Sequence, residues 1–107
     1  MKFNIKHSDK QNYEIDATLL KNTPIKCFVH KSTNDYDSEG WVVTEFFSGL
    51  RLTKAFPTRK EAIENAMFIF EEKGVELVKE LVNDNVKRYG FANKDGTEKS
   101  SKDSTTK

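Results

Sequence analysis

Hydrophobic and polar residues alternate at the start of this chain. Phe3 and Ile5 are separated by polar positions, and Tyr13, Ile15, Ala17 and Leu19 follow the same rule. A period of two places alternate side chains on one face of an extended backbone, so these runs predict two short, half-buried strands. The Ser8-Asp9-Lys10-Gln11-Asn12 stretch between them is turn-prone, and Asn22-Thr23-Pro24 is a second break. Beyond it Ile25, Cys27 and Val29 share one strand face, with Lys26, Phe28 and His30 on the other. Residues 31–40, KSTNDYDSEG, read as a polar loop.

The best hairpin signal runs from Trp41 to Ala55. Two β-rich runs, WVVTEFF and LRLTKAF, flank Ser48-Gly49, a pair suited to a two-residue turn. With that turn, Trp41, Val43, Phe47, Leu50, Leu52 and Phe56 share one face with Glu45 and Lys54. Val42, Thr44, Phe46, Arg51, Thr53 and Ala55 occupy the other. Apolar weight makes the first face the core face, and a slip of one residue would invert the choice.

The period then changes to that of a helix. Thr58-Arg59-Lys60-Glu61 follows Pro57 and has the form of a capping box, in which Thr58 bonds the third helical N–H while Glu61 reaches back. Ala62, Ile63, Ala66, Met67, Ile69 and Phe70 form one apolar stripe. Lys73-Gly74-Val75 reads as a helix stop, with glycine at the left-handed position. Val75, Val78, Leu81, Val82, Val86 and Tyr89 form a second stripe, closed by Tyr89-Gly90-Phe91. Carried through Gly74 at about 100° per residue, the two stripe centres differ by roughly 105°. A break at Gly74 that lays the second helix on another surface accounts for this shift; the alternative is one long helix with a second apolar face. The fold class is therefore α+β: an antiparallel sheet of about four to five short strands followed by two amphipathic helices, or one helix broken at Gly74. Residues 1–91 make a single domain, and the polar tail 92–107, ANKDGTEKSSKDSTTK, is expected to be disordered.

Composition narrows the functional classes. With 107 residues, 18 basic and 17 acidic side chains, the formal net charge is +1. That balance removes the domain-wide positive field of many nucleic-acid binders. Arg51, Arg59 and Arg88 are the only arginines, so the planar fork that reads guanine or clamps phosphate is scarce. A single cysteine, Cys27, excludes an internal disulfide and any cysteine-rich zinc site. The N-terminal MKFNIKHSDK lacks the apolar core of a signal peptide, and Ala66–Phe70 is too short a run to span a membrane. The cytoplasm is the expected location.

Few residues suggest chemistry. Cys27 and His30 would need to meet for nucleophilic catalysis, yet three positions apart on a strand they point to opposite faces, roughly 10 Å apart. The reading that follows is a buried structural cysteine and a surface histidine. His7 has no assigned approach. Asp35, Asp37, Glu39 and Gly40 have the opening spacing of an EF-hand loop, with Val42 at its apolar position, but the closing place is Phe46 and Glu45 falls one residue early. An acidic turn is expected there. Phosphate-cradling glycine loops, paired-histidine zinc helices and serine elbows are missing. No catalytic, cofactor or metal residue is assigned, and the chain is not expected to be an enzyme. Phe68 lies nearly opposite the first helical stripe among Glu61, Glu64, Asn65 and Glu72. It either packs under another element or serves as a partner anchor.

The segment GWVVTEFFSGLRLTKAFPTRKEAIENA, with its Phe-x-Thr-Arg-Lys-Glu-Ala junction into a helix, resembles the arm-type DNA-binding domain of phage integrases over about residues 25–73. The resemblance implies a three-stranded sheet on one helix, with the outer sheet face entering the major groove. Arg51, Thr53 and Phe46 are the matching residues. The outer face has few basic residues, and residues 75–90 have no counterpart in that family.

Two functional expectations follow. The first is a non-enzymatic binding or regulatory module that acts through protein–protein contact, including contact with a second copy, with Phe68, Leu81 and Tyr89 as the partner-binding residues. The second is a DNA-binding accessory protein of a mobile element that uses Lys26, Arg51, Thr53 and Phe46. Small size and a lysine-rich, arginine-poor composition also suit an accessory protein of a phage or plasmid.

Overall fold

The computed structural model describes residues 1–32 and 40–94. Its elements are β1 (Lys2–Lys6), β2 (Asn12–Asp16), β3 (Thr18–Leu19), β4 (Cys27–Lys31), β5 (Trp41–Glu45), α1 (Arg59–Lys73) and α2 (Val75–Tyr89). The fold class is α+β, with five strands before two C-terminal helices. The strands divide between an antiparallel β1–β2 pair and an antiparallel β3–β4–β5 sheet. The second alternating run is thus split at the buried Ala17, on one side pairing Ile15 with Phe3 and on the other Thr18 with Val29.

The β3–β4–β5 sheet is the middle layer. Cys27, Val29 and Val43 face Ala62, Ala66 and Phe70 of α1 and Val78 and Val82 of α2. Phe28 and Phe46 lie on the opposite side with Phe3, Ile5 and Ala17. Phe3 stacks on Phe28 at a ring separation of 4.9 Å and meets Phe46 edge-on at 5.7 Å, contacts that add to simple burial. The face expected to be the outer one is therefore covered, because β1 lays Phe3 and Ile5 across it.

The hairpin departs from the expected two-residue turn. Trp41 pairs with Phe56, but Thr44 pairs with Arg51, so three steps along β5 face five along the returning chain. That chain bulges and forms no regular strand; the Val43 N–H is met by the Thr53 hydroxyl oxygen at 3.1 Å. The turn widens because the Glu45 carboxylate captures the N–H groups of Phe47 (2.8 Å) and Ser48 (2.7 Å) and the Ser48 hydroxyl (2.5 Å). Gly49, at φ 70°, then donates its N–H back to the Glu45 carbonyl at 3.0 Å.

Thr58 caps α1 as its sequence requires. It is extended (φ −130°, ψ 156°), and its Oγ1 accepts the Glu61 N–H at 3.1 Å. Glu61 reaches back to accept the Thr58 hydroxyl at 3.0 Å. The helix breaks at Gly74, whose φ of 86° is closed to ordinary side chains, and α2 starts at the next residue. Ala92 and Asn93 are buried, so the packed chain extends past the expected boundary at Phe91. Residues 95–107 of the expected disordered tail, and Asp35, Asp37 and Glu39 of the acidic run, lie outside the described residues.

Candidate functional site

The break at Gly74 decides which apolar side chains α2 buries. Val78 and Val82 go into the core, while Leu77 and Leu81, one turn apart, are each 45% exposed. Spacing of four puts them side by side on one helix face. Asp84 and Arg88 continue that row and pair at 3.3 Å. On α1, Phe68 is 56% exposed, as its place opposite the buried Ala62, Ala66 and Phe70 requires; it packs under neither the second helix nor the N-terminal strand. Tyr89 is also exposed, with the Lys10 ammonium 4.8 Å above its ring. Five of the eight exposed large apolar residues, Met67, Phe68, Leu77, Leu81 and Tyr89, thus lie on the helical half of the described chain. Leu77 was missed in the sequence because it sits just off the second stripe.

A different constellation lies across the sheet. His30 is buried, not at the surface as expected, and its ring spans two acceptor-bearing neighbours. Nδ1 is 2.7 Å from the Lys31 carbonyl and Nε2 is 2.7 Å from Thr44 Oγ1. A carbonyl only accepts, so Nδ1 carries the proton, and the Thr44 hydroxyl donates to Nε2 of the neutral ring. Burial holds the imidazole below the usual histidine range, and the Arg51 charge lowers it further against the opposing pull of the Lys31 carbonyl. The histidine borders a cavity of about 530 Å³ that also collects His7, Ser8, Ser32 and Arg51. His7 thus lines the same cavity as His30, which does not include Cys27. Sequence distance hid this grouping: it needs β1 on top of β4, and no local pattern encodes that packing.

No protein-family model, curated protein or solved structure matches this chain. The likeness of residues 25–73 to integrase arm domains therefore rests on those residues alone, and no relative carries the phage or plasmid reading.

The remaining candidates are dispersed. Cys27 faces the helices, away from His30, and burial pushes its thiol up to about 11. Of the four residues assigned to DNA, Phe46 and Thr53 are buried. Lys26 is half-buried with its ammonium 4.1 Å from the Phe46 ring, and Arg51 is exposed with Nε donating to the Thr53 carbonyl at 2.7 Å. They do not form one open face. Glu45, the acid nearest the EF-hand closing place, is committed to its own turn. Among the described residues no three metal-ligating side chains gather, and no helix is long and apolar enough to cross a membrane.

Proposed function

We propose that this protein is a non-enzymatic binding module that acts through protein–protein contact on its helical face, with a second copy of the chain as the first partner to test. The observation that carries the reading is the exposed Leu77–Leu81 pair on α2, with Phe68 exposed on α1. A small domain leaves single apolar residues in water without consequence, but a helix that exposes two leucines in one row has a surface suited to burial against another chain. The charges on α2 favour an antiparallel copy: Glu76, Lys79 and Glu80 leave its first half net negative, and Asp84, Lys87 and Arg88 leave its second half net positive. Antiparallel alignment brings unlike ends together and opposes the helix dipoles.

Light scattering over a range of concentrations tests the proposal. A dimer is expected that Leu81→Glu dissociates without loss of helical signal, since the side chain is already half in water. A strict monomer, with Phe68→Ala and Leu81→Ala changing only fold stability, would count decisively against it. DNA binding through the hairpin is not adopted, because the burial of Phe46 and Thr53 leaves that surface without two of its four contacts.

A further inference from the structure

The two edges of the β1–β2 pair are finished differently. Met1 and Ala17 exchange both backbone bonds, at 3.3 and 2.8 Å, and the register runs without a bulge from Lys2 opposite Asp16 to Lys6 opposite Asn12. Bonded and non-bonded pairs alternate in an antiparallel ladder. Phe3 and Ile5 therefore bond to Ile15 and Tyr13, while Lys2, Asn4 and Lys6 turn their backbone groups the other way. On that edge Asn93 pairs with Asn4, and the Lys6 N–H donates to the Gly49 carbonyl at 3.3 Å. Asn12, Glu14 and Asp16 turn theirs to the opposite edge, where no group among the described residues meets them. All three are exposed. Elsewhere, the returning chain bonds along β5, and β3 is only two residues long.

We infer that the outer edge of β2 takes an extended segment of a partner protein as an added antiparallel strand, with a lysine or arginine opposite Glu14. An open edge offers its main chain to any extended backbone, and the usual guards of proline, lysine or a bulge are missing from β2. Asp16 is held by Lys2 at 3.2 Å, and Asn12 accepts from the Lys6 ammonium at 2.8 Å. Glu14, between them, has no ion pair among the described residues. A second copy of β2 laid antiparallel about Glu14 would set Glu14 against Glu14, and like charges directly opposite are destabilising. A basic residue there reverses the sign. Alternate side chains of the added strand face the side of Ile15, which borders a hollow of about 730 Å³ together with Ala17, Val29 and Trp41. Lys31 and Arg59 stand over the Trp41 ring in that hollow, so those positions suit apolar residues and exclude basic ones. β2 shares no residue with the helical contact surface, so each stands or falls separately.

Amide NMR titration with the end-capped peptide Ser-Thr-Val-Lys-Val-Thr-Ser tests this. Saturable shifts are expected over Asn12–Asp16, with a Kd below about 1 mM. Methylating the backbone nitrogen of the peptide lysine removes the N–H that bonds to Glu14, and should abolish them. Replacing that lysine by glutamate should weaken binding roughly three- to tenfold. Glu14→Lys should reverse the preference, so that the glutamate peptide becomes the tighter ligand. Glu14 is exposed, so this variant reports on binding rather than folding. The inference is overturned if millimolar peptide gives no saturable shift on β2, if the methylated peptide binds as well, or if the charge swap leaves the preference unchanged. Shifts over the same residues on raising the protein concentration alone would overturn it too, because a second copy would then fill the edge.

Discussion

The side chain of Asn93 pairs with the backbone of Asn4 as a neighbouring strand would. Its Oδ1 accepts the Asn4 N–H at 2.9 Å, and its Nδ2 donates to the Asn4 carbonyl at 2.8 Å. The same Nδ2 reaches the Phe46 carbonyl at 2.9 Å, and the Asn4 side chain donates to the Ala92 carbonyl at 3.1 Å. One amide, placed after the last helix, thus satisfies backbone groups of β1 and of the turn following β5, where no strand is available to do so.

Asn93→Ala should therefore cost about 2–3 kcal/mol, because it strands backbone groups in a buried place. Asn12→Ala, at an exposed position, should stay within about 0.5 kcal/mol. Urea unfolding of the two variants checks the contrast. Equal, small effects would mean that Asn93 is replaced by water at no loss.

Gly74 and Gly49 both have positive φ, but their surroundings differ. A Cβ on Gly74 would meet nothing within 4 Å, so Gly74→Ala is expected to cost only the backbone strain of a position at φ 86°, ψ 137°, about 1–3 kcal/mol. A Cβ on Gly49 would lie 2.8 Å from the Lys6 nitrogen and 2.8 Å from the Ala92 Cβ. Gly49→Ala adds this overlap to the strain, and should cost roughly 1–3 kcal/mol more. Thermal unfolding of the pair gives the order directly.

The helices were legible because their signals are local. Thr58 to Glu61 forms the cap, and Gly74 stops the first helix, each within one turn of chain. The run Trp41-Val42-Val43 and the pair Phe46-Phe47 also carried information that period-two reading discards. Apolar residues at both parities mark a strand buried on both faces, and β5 is one. What stayed hidden depends on packing between distant segments: β1 across the second sheet, Asn93 on Asn4, and His30 at the edge of a cavity with His7. Glu45 shows a third limit. An acid in a β-rich run looks like a strand residue, whereas here its carboxylate reshapes the turn two and three residues on.

His30 gives stability a pH dependence of definite sign. Its folded pKa lies below the ordinary 6.5, so the unfolded chain takes up the proton first as pH falls. The favourable contribution is complete above the unfolded pKa and is lost as pH drops below 6.5 toward the folded value, with a slope of at most about 1.4 kcal/mol per pH unit. Glu45 acts with the opposite sign, since burial raises its pKa above 4.5 and stability falls as pH rises from there. The difference between the protein and a His30→Gln variant isolates the histidine. It should shrink as pH falls from 7.5 to 5.5 in urea titrations, and a constant difference would show that His30 titrates alike in both states.

Cys27 reports on the opening of the core between sheet and helices. It is fully buried, packed with Val29, Val43, Ala66 and Val78, and its thiol is raised to about 11. The reactive thiolate is scarce, and a reagent has no path to it in the closed structure. Labelling by a thiol reagent at neutral pH should therefore be slow in native buffer and accelerate in urea in step with global unfolding. Gly74→Ala, which strains the link between the helices covering this thiol, should speed labelling by the factor that its loss of stability dictates, about tenfold for each 1.4 kcal/mol. Prompt labelling of the unaltered protein would instead mean that α1 and α2 lift from the sheet without unfolding the remaining layers.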